Sequence, residues 1–159
     1  DYVADELPQL LGHEFSVDLE RQAITGHSMG GHGALTLAMA RPEQYRSVSA
    51  FSPICNPMAS DWGSKQLTAY LGSDKSAWEI HDASHQMLEK GFAGPVLIDT
   101  GTKDPFLDLL KPETLAFSMA KRRQQGHVRL QSGYDHSYFF VSTFIEDHIN
   151  FHSEALHAE

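Results

Sequence analysis

The sequence predicts an α/β fold built on a mostly parallel sheet. Two observations carry that reading. Short apolar runs alternate with stretches of helical period, and the alternation repeats along the whole chain in the order strand, helix, strand, helix. Residues 23–25 read as a strand ending at Gly26, and residues 29–40 as the helix that follows, halted by Arg41 and Pro42. Residues 46–51 form a second strand. Residues 53–63, with two prolines and the single cysteine, read as a loop. A short helix over 65–71 stops at Gly72, and residues 75–90 read as broadly helical, closed by Gly91.

Residues 95–100 carry a continuous apolar run, as expected for a strand covered on both faces. Pro112 opens a helix at its first turn. Leu115 and Met119 share a face of it, and Lys121, Arg122 and Arg123 complement the dipole before Gly126. Residues 127–131 form the fourth strand. The last helix covers 138–151, with Val141, Phe144, Ile145, His148 and Ile149 on one face. The residues before the first strand read as one helix. There is no internal repeat and no interdomain linker.

A chain of 159 residues, 41% hydrophobic, is long enough for one domain with a real core. Its formal net charge of -9 disfavours nucleic acid and anionic membranes as partners, since both are polyanions. No apolar run is long enough to cross a bilayer. Asp1 to Glu6 lack the apolar core of a signal peptide. One cysteine, Cys55, allows no internal disulfide, which fits a reducing compartment.

Gly26-His27-Ser28-Met29-Gly30 matches Gly-x-Ser-x-Gly between a strand and a helix. That is where a nucleophilic serine must sit to be held up on a strained turn, with small neighbours two residues to either side. Gly31 and Gly33 extend the small surface, so that the helix packs close to the sheet. The helix N-terminus favours negative charge, and the Met29 backbone N–H is one candidate oxyanion donor.

A serine nucleophile needs a base, and the base an orienter, in the chain order Ser, Asp or Glu, His. Of the ten histidines, His136 alone follows the fourth strand, in the loop before the last helix. That loop opens at the same sheet end as Ser28. His148 and His152 lie on the last helix and His157 in the tail. Asp104 follows the third strand, at the carboxyl edge where catalytic groups collect in α/β sheets. Asp99 lies inside that strand, Asp108 too far on, and Asp135 beside His136 itself. The alternatives are a helix-capping His136 and a turn-capping Asp104. The candidate catalytic set is Ser28, Asp104 and His136, with no metal and no cofactor.

The second oxyanion donor should come from a loop after an earlier strand, and only about 21 residues precede the nucleophile strand here. In the α/β-hydrolase fold the nucleophile strand is the fifth of eight. The four strands read as the fifth to the eighth. Residues 1–159 are therefore expected to be the C-terminal part of a single α/β-hydrolase domain whose N-terminal half is absent. The nucleophile strand, left as a bare edge, is expected to pair with that half, with another chain, or with a symmetry mate.

The segment from Gly26 to Leu35 resembles the elbow of the esterase D family, that of the S-formylglutathione hydrolases. So do Ser49 to Pro57, Trp62-Gly63 with Lys65, Ile98-Asp99 with Gly101, Asp104, Phe106 and Leu107, Gly133 to Phe140, and Tyr2-Val3 with Glu6-Leu7-Pro8. The resemblance implies hydrolysis of S-formylglutathione to glutathione and formate, a step of formaldehyde detoxification in the cytoplasm. It implies the same three residues, a cofactor-free enzyme, and often a dimer. The same-class alternative is a general short-acyl carboxylesterase; a different-class alternative is a non-catalytic scaffold. Trp62 and Lys65 are candidates to line the entry for an anionic thioester; their alternatives are a packed aromatic and a solvated charge. Cys55 reads as a buried small hydrophobe, with a redox-sensitive thiol as the alternative.

Overall fold

Four apolar runs become the strands β1 (Gln22–His27), β2 (Tyr45–Phe51), β3 (Val96–Gly101) and β4 (Gly126–Gln131) in the computed structural model, which describes residues 2–158. They form one sheet in the order β1-β2-β3-β4, every neighbouring pair parallel. Spatial order thus equals chain order, and each crossover carries helix: α2 (Met29–Ala40), then α3 (Asp61–Leu71) and α4 (Ala83–Glu89), then α5 (Leu107–Leu110) and α6 (Pro112–Arg122). A π-helical turn (Tyr2–Glu6) and α1 (Leu7–Glu14) precede the sheet, and α7 (Tyr138–His157) follows it.

The two-residue period of β2 sorts its side chains between two layers. Val48 and Ala50 face α2, α4 and α6, in a core with Leu35, Met39, Met87, Val96, Ile98, Leu115 and Met119. Ser47, Ser49 and Phe51 face α7 instead, where Ser47 and Ser49 bond His152 and the Phe51 ring stacks on His148. β3 is buried along its whole length, as its apolar run predicts. Cys55 is fully buried within the same core, and burial pushes its thiol pKa up, which fits the small-hydrophobe reading.

Several boundaries differ from the sequence reading, each for a local reason. The expected loop over 53–63 contains a 3₁₀ turn (Pro57–Ala59) and the start of α3, because Ser60 caps that helix by accepting the Gly63 N–H at 3.0 Å. The helical stretch expected over 75–90 is cut in two at Asp82. There a 3₁₀ segment (Lys75–His81) gives way to α4, and the buried Asp82 carboxylate accepts the N–H groups of His85 and Met58. The short α5 is unforeseen; left-handed Lys111 (φ 53°) separates it from α6. α7 runs to His157, beyond the expected end, so His157 lies in the helix and not in a tail.

The buried stripe of α7 is also rotated from the expected one. Phe140 and His148 are fully buried, whereas Ile149 is 59% exposed. The stripe follows the i, i+4 positions Phe140, Phe144, His148 and His152 because the two histidines are bonded to sheet serines. Burial, and next the neighbouring His148, lower the His152 pKa to about 4. Unfolding frees this ring to bind a proton below its ordinary value near 6.5, while the folded protein resists doing so until about pH 4. The unfolded state therefore binds more protons in that window, and stability falls as pH drops through it, by at most about 3 kcal/mol. The expected result is a melting temperature that declines from pH 6.5 to pH 4 in the wild type and declines less in His152→Gln. Equal slopes for the two proteins would reject the assignment.

β1 pairs with β2 and with no other strand among the described residues. Leu10, Leu11, Phe15 and Val17, in and just after α1, are exposed. No helix among the described residues is long and apolar enough to cross a membrane.

Candidate active site

Because all four strands are parallel, the residues that follow them gather at one rim. Ser28 follows β1 directly, Asp104 comes three residues after β3, and His136 five residues after β4. At that rim Asp104 is hydrogen-bonded to His136, and the ring of His27, the residue before Ser28, lies against the His136 ring.

Ser28 stands between the last residue of β1 and the first of α2, with φ 58° and ψ -117°. A non-glycine residue in that region is strained, and strain of this kind is held only where the surroundings fix it. Two features fix it. The Ser28 N–H donates to the Phe51 carbonyl at 2.9 Å. Gly26 lets the turn fold back on itself, since a Cβ there would lie 2.2 Å from the Gly30 carbonyl oxygen. Ser28 occupies the N-cap position, yet its side chain makes no cap bond, so the hydroxyl is not committed to the helix. Met29 opens α2, and its N–H is one of the first-turn groups without a helical partner.

The expectation of small residues all round the turn needs correcting. Gly31 does make close contact, with a Cβ there 3.1 Å from Ala50 Cβ and Pro53 Cβ. Gly30 and Gly33 face open space among the described residues. The helix rests on the sheet through Gly26 and Gly31, and these two set its distance.

Asp104 and His136 are joined by one hydrogen bond, His136 Nδ1 to Asp104 Oδ2 at 2.7 Å. The carboxylate is fully buried and the imidazole 18% exposed. The other carboxylate oxygen, Oδ1, accepts the Phe106 N–H at 2.9 Å. The two loops that carry the pair are laced together. Thr102 N–H donates to the Gln131 carbonyl, Lys103 N–H to the Tyr134 carbonyl, and Gly133 N–H to the Thr102 hydroxyl. Gly101 makes the approach possible, because a Cβ there would lie 2.2 Å from the Tyr134 carbonyl oxygen.

The competing carboxylates are engaged elsewhere or exposed. Asp99 is bound by His148, Arg129 and Gln131. Burial alone would raise its pKa, but these hydrogen bonds outweigh it and lower it. Asp135 Oδ1 accepts the Ser137 N–H, holding the turn before α7, and Asp108 is exposed.

Two aromatic rings, to which sequence reasoning gave no role, pack against His136. The His27 ring lies 4.5 Å from it, centroid to centroid, and Phe106 meets it edge-on at 5.0 Å. Tyr138 contacts His27 at 5.6 Å. Burial, and then the neighbouring His136, lower the His27 pKa, which favours the neutral ring. Its Nε2 is buried without a hydrogen-bond partner among the described residues. The signal for His27 was its place in the motif: the residue before Ser28 must stand at the same rim as the base.

Trp62 and Lys65 part company. Trp62 lines a cavity of about 270 Å³ with Met29, His32, Ile54, Leu67 and Tyr70. Lys65 is exposed on α3 and is not among the residues lining it. The cavity is mostly apolar and adjoins the serine through Met29. Among the described residues no group of three or more histidine, cysteine, aspartate or glutamate side chains is arranged to hold a metal ion.

A family model described as "Esterase: Putative esterase" matches residues 1–151. The chain is 63% identical over 155 residues to an S-formylglutathione hydrolase of Paracoccus denitrificans, covering 98% of this chain and 56% of that protein. It is 48% identical over 162 residues to an S-formylglutathione hydrolase of Bos taurus, covering 99% of this chain and 57% of the relative. The solved structure of an S-formylglutathione hydrolase from Agrobacterium tumefaciens superposes with a TM-score of 0.92 at 43% identity, over 98% of this chain and 56% of that one. The chain thus spans a little over half the length of the curated relatives it matches. The likeness extends to the α/β-hydrolase fold itself.

Proposed function

This chain belongs to the Esterase family, and from that premise we propose that it carries the nucleophile, base and orienting acid of a serine hydrolase that cleaves S-formylglutathione to glutathione and formate. The observation that carries the reading is the Asp104–His136 hydrogen bond beside a strained serine turn, on a chain 48–63% identical to proteins named S-formylglutathione hydrolase.

Ser28 Oγ attacks the thioester carbonyl while His136 Nε2 takes its proton. Asp104 holds Nδ1–H toward itself, so that Nε2 is left to accept, and it stabilises the imidazolium that forms. The carbonyl oxygen gathers negative charge as the tetrahedral intermediate forms, and the Met29 N–H donates to it. His136 then gives its proton to the departing thiolate. Water, deprotonated by the same imidazole, releases formate from Ser28 and restores the hydroxyl. Trp62 and the cavity it lines with Met29 receive part of the substrate; Lys65 is a solvated charge on α3. The second oxyanion donor belongs to a segment equivalent to the first half of the relatives' length. That segment, or a second copy in a dimer, covers the outer edge of β1 and the exposed apolar residues of α1. The location is the cytoplasm and the role formaldehyde detoxification.

A fluorophosphonate probe on the full-length protein tests the reading, with Ser28→Ala as control. The expected result is one adduct, on Ser28, lost in the control, together with faster turnover of S-formylglutathione than of p-nitrophenyl acetate. No adduct on Ser28 would favour the scaffold. A clear preference for the ester would favour the general carboxylesterase.

A further inference from the structure

Asp99, His148 and Ser49 form a second chain of acid, imidazole and hydroxyl, closed to solvent on the α7 face of the sheet. His148 Nε2–H donates to Asp99 Oδ2 at 3.1 Å, and Nδ1 meets Ser49 Oγ at 2.8 Å. All three residues are fully buried, so no substrate reaches them. We propose that this chain is a register lock for α7, in which His148 is a positioning residue for Ser28 and His136. The proposal rests on the hydrolase reading given above.

The lock ties one helix to three strands. Arg129 on β4 grips Asp99 on β3 through Nε at 2.7 Å and Nη2 at 2.5 Å, and reaches Asp147 on α7 through Nη1 at 2.9 Å. One turn further along α7, His152 bonds Ser47 and Ser49 on β2 at 2.7 and 2.8 Å. Ser49 also bonds Thr25 on β1 at 2.8 Å. A hydroxyl has one proton and two lone pairs, so these three partners saturate it.

Both working ends of the site hang from this assembly. The His148 ring stacks on Phe51, centroids 3.8 Å apart and planes 19° apart, and the Phe51 carbonyl is the acceptor that holds the Ser28 N–H. At the other end, α7 begins two residues after His136. Twelve residues separate His136 from His148, about 18 Å along a helix, so His148 acts through the helix and not on the reacting atoms.

Apolar packing would hold α7 to the sheet equally well, since buried ionic networks add little net stability. What packing alone would not fix is the helix's rotation and register. A slide by one turn moves the helix by about 5.4 Å, and with this network it strands several buried polar groups. Misplacing a reacting group by about 1 Å already costs on the order of 10²-fold in rate.

The test is kcat per serine titrated with the fluorophosphonate probe, measured with KM and the melting temperature on full-length protein. In His148→Leu, kcat per titrated serine is expected to fall about 30-fold or more, with KM within about twofold. In His148→Gln, whose amide keeps a donor for Asp99, at least about a third of that loss on a logarithmic scale is recovered. Counting only serines that react removes misfolded protein from the ratio. A wild-type ratio in His148→Leu would overturn the lock, whatever its melting temperature. Should His148→Leu fail to fold, Ser49→Ala decides by the same ratio: a fall of about threefold or more supports the lock and a smaller one rejects it. A wild type that does not label on Ser28 overturns the hydrolase reading and this proposal with it.

Discussion

Asp104→Asn lowers kcat by about 10⁴ while leaving the melting temperature and KM close to wild type. The size follows from which amide atom faces the imidazole. Asp104 Oδ1 accepts the Phe106 N–H, and Oδ2 faces His136 Nδ1. An asparagine at this position keeps its carbonyl oxygen on Phe106, because an NH₂ there would confront an N–H donor. Its amide nitrogen then takes the place of Oδ2 and donates to Nδ1. The imidazole is forced to carry its proton on Nε2, where it cannot accept one from Ser28. The imidazolium also loses its buried counter-charge. Steady-state kinetics with a thermal melt checks the outcome; a loss under tenfold in a folded variant would mean that Asp104 does not orient the base.

Gly26→Ala removes the fold's support for the serine turn, and its effect is on stability first. The new methyl would sit 2.2 Å from the Gly30 carbonyl oxygen and 2.7 Å from the Gly31 nitrogen. Both are backbone atoms of the first turn of α2, so no side-chain rotation relieves the clash. Relief requires lifting α2 from the sheet, which opens the core around Ala34, Leu35 and Ala38. The expected loss exceeds about 4 kcal/mol, seen as insoluble protein or a melting temperature lowered by about ten degrees or more. A soluble variant melting within a few degrees of wild type would show that Gly26 does not set the distance between β1 and α2.

The sequence makes the parallel sheet and the rim legible because they depend on local signals. A strand, a tight Gly-x-Ser-x-Gly turn and a helix leave their pattern within about twenty residues. Asp104 and His136 can be singled out for the same reason, as polar residues just past strand ends in an α/β alternation. The breaks at Ser60 and Asp82 were hidden because each depends on a single side chain capping a backbone turn, a choice that periodicity does not record. The rotation of α7 was hidden for a different reason. An apolar count favours Ile149, and the helix obeys instead the polar contacts of His148 and His152 with serines about a hundred residues earlier in the chain. His27 and Phe106 were within sight as motif residues, but ring contacts with His136 arise only when three separate loops meet.

Sheet order that repeats chain order has a consequence for how the molecule comes into being. Each strand pairs with the one before it in the chain, so no strand is inserted between two that neighbour each other in sequence. Yet the serine follows the first of these strands and the imidazole follows the last. Turnover under the proposed reading therefore needs all four of these strands in place. Recovery of turnover on refolding would report the arrival of β4 and α7, not the collapse that precedes them.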